Sequence, residues 1–205
     1  MINYKQLHIL ILVLFFLSKP AFTQEEHSKD FNRKIGFIVG YGKQHVNLLG
    51  IGIDLKVPYV YKVQLFELDY FLPLYFNNSW SIESHLRLVY GITHYKQNKK
   101  SLTYIKSNEY GISSGFLISK SFFEKFIKIY FATSLGPFYS KGTPDRQVSG
   151  FMFCGNYDVG INLELRKNVY IDLRTGFRHI SNAGLRNPNG GLNNWMINGG
   201  LVIEM

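Results

Sequence analysis

His179 and Ser181 open the run richest in chemistry, Phe177-Arg178-His179-Ile180-Ser181-Asn182-Ala183-Gly184-Leu185-Arg186-Asn187-Pro188-Asn189-Gly190-Gly191-Leu192-Asn193. Serine is a weak nucleophile near neutral pH until a neighbouring base takes its proton, and imidazole can do that. Residues two apart on a β-strand project from the same face, one above the other. A strand here would therefore bring base and nucleophile together. Asn182 and nearby backbone N–H groups could then donate to an oxyanion forming on an attacked carbonyl. Spacing alone also fits a plainer account, in which a strand end is polar because it leaves the bilayer.

Other chemistries find little support. The single cysteine, Cys154, excludes a disulfide framework and a multi-thiolate metal site. Histidines 27, 45 and 94 are isolated in sequence, and no metal-ligand cluster, phosphate loop or dinucleotide fingerprint is present, so no metal and no cofactor is expected. A formal charge of +9 raises nucleic acid as a partner. The N-terminus argues against it. Lys5 precedes an apolar run, Leu7 to Leu17, broken only by His8, and Ala21 and Thr23 fit a small-x-small cleavage site. Residues 1–23 read as a secretory signal peptide, and without Lys5 and Lys19 the charge falls to +7. An exported protein meets no cytosolic nucleic acid.

The elements that must position the pair follow from composition and period. The chain of 205 residues is 46% hydrophobic and 16% aromatic but only 18% charged, which excludes a disordered protein. Residues 24–33 are polar and read as a flexible lead-in; from residue 34 to 205 the dominant period is two. Eight amphipathic strands are expected, at about 34–46, 59–72, 80–95, 109–121, 126–139, 150–165, 169–181 and 195–205. Val63 and Leu65 share an alternation with Glu67 and Asp69, which predicts a bulge near Phe66. Short and long connections alternate, as in an eight-stranded antiparallel up-and-down β-barrel.

A soluble barrel would hide the apolar face and a transmembrane barrel would expose it. Three features favour the membrane. The polar face carries charges of both signs (Glu83, Arg87, Asp158, Glu164, Asp172, Arg174 and Arg178), which could pair inside a narrow lumen, with His85 beside them. Aromatics near strand ends, such as Trp80, Tyr95, Tyr139, Phe151 and Trp195, suit interfacial girdles. The last strand runs to the C-terminus, although it ends on Met205 rather than an aromatic. Short turns would face the periplasm and long loops the exterior, which puts His179 and Ser181 at the outer leaflet of a bacterial outer membrane. Lys96, Lys99, Lys100 and Lys106 fall in one outer loop, Lys141 and Arg146 in another, and Arg186 beside the His-x-Ser run. Cations there would attract lipid phosphates.

His179-x-Ser181-Asn182-Ala183-Gly184-Leu185 followed by Asn187-Pro188-Asn189-x-Gly191-Leu192 resembles the PagL-type lipid A 3-O-deacylases, an outer-membrane acyloxyacyl hydrolase family. Asp145-Arg146-Gln147 looks like the family's Bacteroidetes-type members. The resemblance implies an eight-stranded outer-membrane barrel that hydrolyses the ester-linked acyl chain at the 3 position of lipid A, with lipopolysaccharide as partner. It makes Ser181 the nucleophile, His179 the general base, Asn182 and the Gly184 backbone oxyanion-hole candidates, and Asn189 a supporting residue. Arg186, Lys141 and Arg146 become candidates for the substrate phosphates. The third triad position, fourteen residues after the histidine, is a glutamate in that family and Asn193 here. An amide carbonyl can hold the imidazole tautomer but cannot offset an imidazolium charge. Asn193 thus also favours an alternative, a non-catalytic outer-membrane barrel for surface protection or lipopolysaccharide binding.

Overall fold

The structure, a computed structural model, describes residues 32–44, 59–77, 79–123 and 126–205. The expected signal peptide and most of the lead-in lie outside the described residues. The described chain forms β1 (Lys34–Gln44), β2 (Val60–Asn77), β3 (Trp80–Lys96), β4 (Ile105–Phe122), β5 (Ile127–Ser140), β6 (Gly150–Arg166), β7 (Val169–Ser181) and β8 (Leu192–Glu204). Each strand pairs antiparallel with its sequence neighbour, and β1 pairs with β8 to close the barrel. Closure leaves no sheet edge, so every strand's backbone can be hydrogen-bonded inside lipid. At 11 to 18 residues, the strands reach or exceed the roughly 9–11 residues needed to cross a bilayer.

The period of two separates the faces as expected. On β7, Asp172, Arg174, Arg178 and Ile180 point inward and are buried, whereas Leu173 is 48% exposed on the outer wall. Phe37, Phe66, Leu88, Ile118, Phe131, Val159 and Ile197 are likewise outward and exposed. Arg87 Nε donates to Asp69 at 2.9 Å and its Nη1 to Asp158 at 3.2 Å. Arg174 bonds Asp69 at 2.9 Å and also Glu67, while Lys34 pairs with Glu83 at 2.6 Å. These charges neutralise one another where water is largely excluded, so the network stands or falls as a unit.

The lumen changes character towards the long loops. Arg178 still bonds Glu109 at 2.7 Å, but around it Tyr61, Val63, Leu65, Phe138, Met152, Cys154, Ile180, Leu192 and Met196 form an apolar plug. This accounts for two departures from the sequence reading. The bulge expected at Phe66 is absent, because Val63 and Leu65 point into the plug on the same inward alternation as Glu67 and Asp69; the register shifts instead between Pro73 and Tyr75. Strand β8 begins at Leu192 rather than Trp195, because Leu192 is fully buried in the same plug. Asn193 is therefore a strand residue.

Candidate active site

That earlier start of β8 assembles the site. His179 lies directly across from Asn193, and the ring Nδ1 sits 2.6 Å from the Asn193 Oδ1. An amide oxygen can only accept, so Nδ1 donates this bond, and in the neutral imidazole Nε2 is then the basic nitrogen. Ser181 is the last residue of β7, on the same outward face as His179 and opposite Phe153 of β6. All three polar residues are half-buried on the outer wall. Gly155 of β6 faces His179 from the other side, and a Cβ there would meet only Leu135, at 3.8 Å. The wall beside the imidazole is thus notched. Nearer the barrel's middle, Phe131, Tyr157, Val159, Thr175, Phe177 and Trp195 line a cleft of about 470 Å³. Thr175 turns its hydroxyl onto the Met196 carbonyl at 2.8 Å, which leaves the cleft wall apolar.

Gly191 sets the ring's position from above. Its φ is +66°, and a Cβ would stand 2.9 Å from His179 Cε1. A side chain there would be strained and would push the imidazole away. The loop at 182–191 is pinned by its own polar groups. Asn182 is fully buried; its Nδ2 donates to the Arg186 carbonyl at 2.8 Å, its Oδ1 accepts from Gly184 N–H at 3.0 Å, and its N–H donates to Asn189 Oδ1 at 3.0 Å. Asn182 and Gly184, the expected oxyanion donors, thus hold the loop through one Nδ2 hydrogen and the Gly184 N–H.

A second loop, 141–149, docks on the first. Gly190 N–H donates to the Arg146 carbonyl at 2.7 Å, Val148 N–H to Pro188 at 2.9 Å, and Gly191 N–H to Gln147 Oε1 at 3.0 Å. Arg186 reaches back to the Ser149 carbonyl at 2.7 Å, and Arg146 donates to the Gly190 carbonyl while stacking 4.7 Å from the Tyr59 ring centroid. Arg146 and Arg186, expected to meet substrate phosphates, are committed to this loop-to-loop brace; Lys141 remains exposed. Tyr59 completes the brace from the start of β2. Its hydroxyl accepts from Asn193 N–H at 2.9 Å and donates to the Asn193 carbonyl at 3.4 Å. Burial raises its phenol above the ordinary value, so it keeps its proton and both bonds. Sequence reasoning missed Tyr59, which lies 134 residues from Asn193 with no local signal. Gln147 and Gly191 stand out in the sequence only as letters of the two motifs. The paired glycines at 190 and 191 were the one available hint of a crowded turn.

Comparison with known proteins converges on the same region. The family model described as lipid A 3-O-deacylase (PagL) matches residues 64–201, which hold His179, Ser181 and Asn193. The crystal structure of the outer membrane enzyme PagL superposes with a TM-score of 0.59 at 15% identity, covering 84% of this chain and 99% of that one. Neisserial surface protein A aligns at a TM-score of 0.45 and 16% identity over 84% of this chain and 97% of its own. No curated protein matches. A family match over most of the barrel, on a fold shared with a solved outer-membrane enzyme, makes this chain a member of the lipid A 3-O-deacylase (PagL) family and a β-barrel of the bacterial outer membrane.

Proposed function

We propose that this barrel is a serine esterase that removes the 3-O-linked acyl chain of lipid A from the outer leaflet. The observation that carries the reading is the His179–Asn193 bond on the lipid-facing wall, with Ser181 one step above on the same face. Ser181 Oγ attacks the ester carbonyl as His179 Nε2 takes its proton. His179 then returns that proton to the departing sugar hydroxyl, and water, activated by the same imidazole, releases the fatty acid from Ser181. Asn189 is the oxyanion donor in this scheme. Its Oδ1 is fixed by the N–H of the residue after Ser181, which leaves Nδ2 to donate. The severed chain lies in the cleft under Phe177 and Trp195, so it need never leave an apolar medium. Residues 1–23 serve as the export signal and 24–33 as the lead-in to the barrel.

Asn193 sets the expected strength of the enzyme. A neutral amide holds the tautomer but offers no charge to the imidazolium, and a flipped amide would place its NH₂ against Nδ1 and spoil the base. The same feature supports a second reading, a barrel that binds lipopolysaccharide without turnover. Purified barrel in detergent, incubated with lipid A and followed by mass spectrometry, separates the two. The esterase reading expects loss of one hydroxyacyl chain with wild type and none with Ser181→Ala. An intact substrate, or equal loss with both proteins, overturns it.

A further inference from the structure

Charge on the outer wall is one-sided. Glu67, Asp69, Glu83, Glu109, Asp158 and Asp172 are all buried in the lumen. Glu164 and Glu204 are half-buried, on the inward alternation of their strands at the short-turn end. Among the described residues no strand carboxylate faces outward. Basic side chains do, and the register lines them up. Lys43 of β1 lies opposite Lys62 of β2, Lys62 opposite His94 of β3, and His94 opposite Lys106 of β4. All four are on the outward alternation, within three residues of the strand ends that carry the long loops.

Like charges directly across strands repel one another, as Lys43 and Lys62 do here, and no ion pair among the described residues relieves this row. A fourth lysine adds to it. Lys96 Nζ lies 5.2 Å from the Tyr104 ring centroid and Lys62 Nζ 5.3 Å from the same ring. Tyr41, Lys62, Gln64, His94 and Tyr104 surround a depression of about 280 Å³. Four residues further along each strand from the row, Phe66, Tyr90, Tyr110, Tyr139 and Phe151 form a continuous aromatic rung across β2 to β6. Such a girdle marks the membrane interface, which sets the cations at headgroup level. Adjacent strands lie roughly 4.8 Å apart, so the row spans roughly 14 Å, the scale of a lipid headgroup rather than a lone ion. On its near side Lys43 lies opposite Trp195, two residues beyond Asn193 on β8.

We propose that the Lys43–Lys62–His94–Lys106 row docks the phosphate groups of an outer-leaflet glycolipid, on the wall beside the Ser181 site and outside its machinery. The inference rests on the proposed substrate only for the identity of the lipid. The test uses binding rather than turnover. Ser181→Ala barrel in detergent is titrated with diphosphorylated lipid A and with its dephosphorylated form, and occupancy is read by native mass spectrometry. The phosphorylated form binds about tenfold or more tightly, Lys43→Gln/Lys62→Gln/Lys106→Gln abolishes the preference, and the corresponding triple arginine variant keeps it. Lys62→Gln alone, the mildest change, lowers the preference about threefold, so the test survives misfolding of the triple variant. Inorganic phosphate at the same concentration leaves the lipid bound. Absence of a preference in the parent, its persistence in the triple or single glutamine variant, or displacement by equimolar inorganic phosphate overturns the proposal. A barrel that passes these tests yet never cleaves lipid A overturns the esterase reading alone.

Discussion

Strand β7 serves two regions that handle polarity in opposite ways. Its inward residues Asp172, Arg174 and Arg178 each meet partners from other strands, and Arg174 alone touches Glu67, Asp69 and Asp172. Its outward residues His179 and Ser181 sit on the lipid-facing wall above an apolar cleft, where the imidazole meets one side-chain hydrogen-bond partner among the described residues, Asn193. The lumen charges pair with one another across the strands they join. The outer pair keeps Nε2 and Oγ available to a substrate. Alternation along one strand therefore divides stability from reactivity, and changes one residue apart should have unlike consequences.

The sharpest break of that contrast is on the outer face. His179→Ala should lower lipid A hydrolysis by about 10³-fold or more while leaving the melting transition in detergent within a degree or two. A similar loss with an unfolded barrel would erase the distinction. On the inner face, Arg174→Met removes one of two buried guanidiniums and leaves Glu67 and Asp69 to share Arg87. It should cost about 3–5 kcal/mol of stability, read by urea unfolding in detergent, with kcat/KM of the folded fraction within about twofold of wild type.

Asn193→Glu joins the two regimes by bringing a carboxylate to the outer wall. It should raise kcat by about tenfold or more, since a carboxylate both fixes the tautomer and offsets the imidazolium. An unchanged kcat would mean that orientation is the third residue's whole contribution. The smallest effect belongs to the loop brace. Gln147→Ala removes the acceptor for Gly191 N–H and should lower kcat about threefold to tenfold without moving KM. A KM effect in its place would mark Gln147 as a substrate contact.

Much of the barrel was legible because lipid and lumen impose a strict period of two, and this long alternation survives in sequence. The His179 and Ser181 pair was legible for the same reason. Asn193 was named through the family motif, but its place on β8 was hidden, because the strand's first anchor, Leu192, points into a plug that composition does not reveal. The same plug concealed why Val63 and Leu65 share a face with Glu67. The Tyr59, Arg146 and Gln147 brace joins segments far apart in the chain, so nothing local records it. His94 looked isolated along the sequence and gains its neighbours Lys62 and Lys106 only through register.

The central claim is that His179 activates Ser181 on the lipid-facing wall. Labelling with a fluorophosphonate probe, followed by peptide mapping, tests it without depending on the natural substrate. The account predicts a covalent adduct on Ser181 in wild type, faster labelling in Asn193→Glu and none in His179→Ala. No adduct on folded wild type, or labelling of Ser181 at an unchanged rate in His179→Ala, would contradict it.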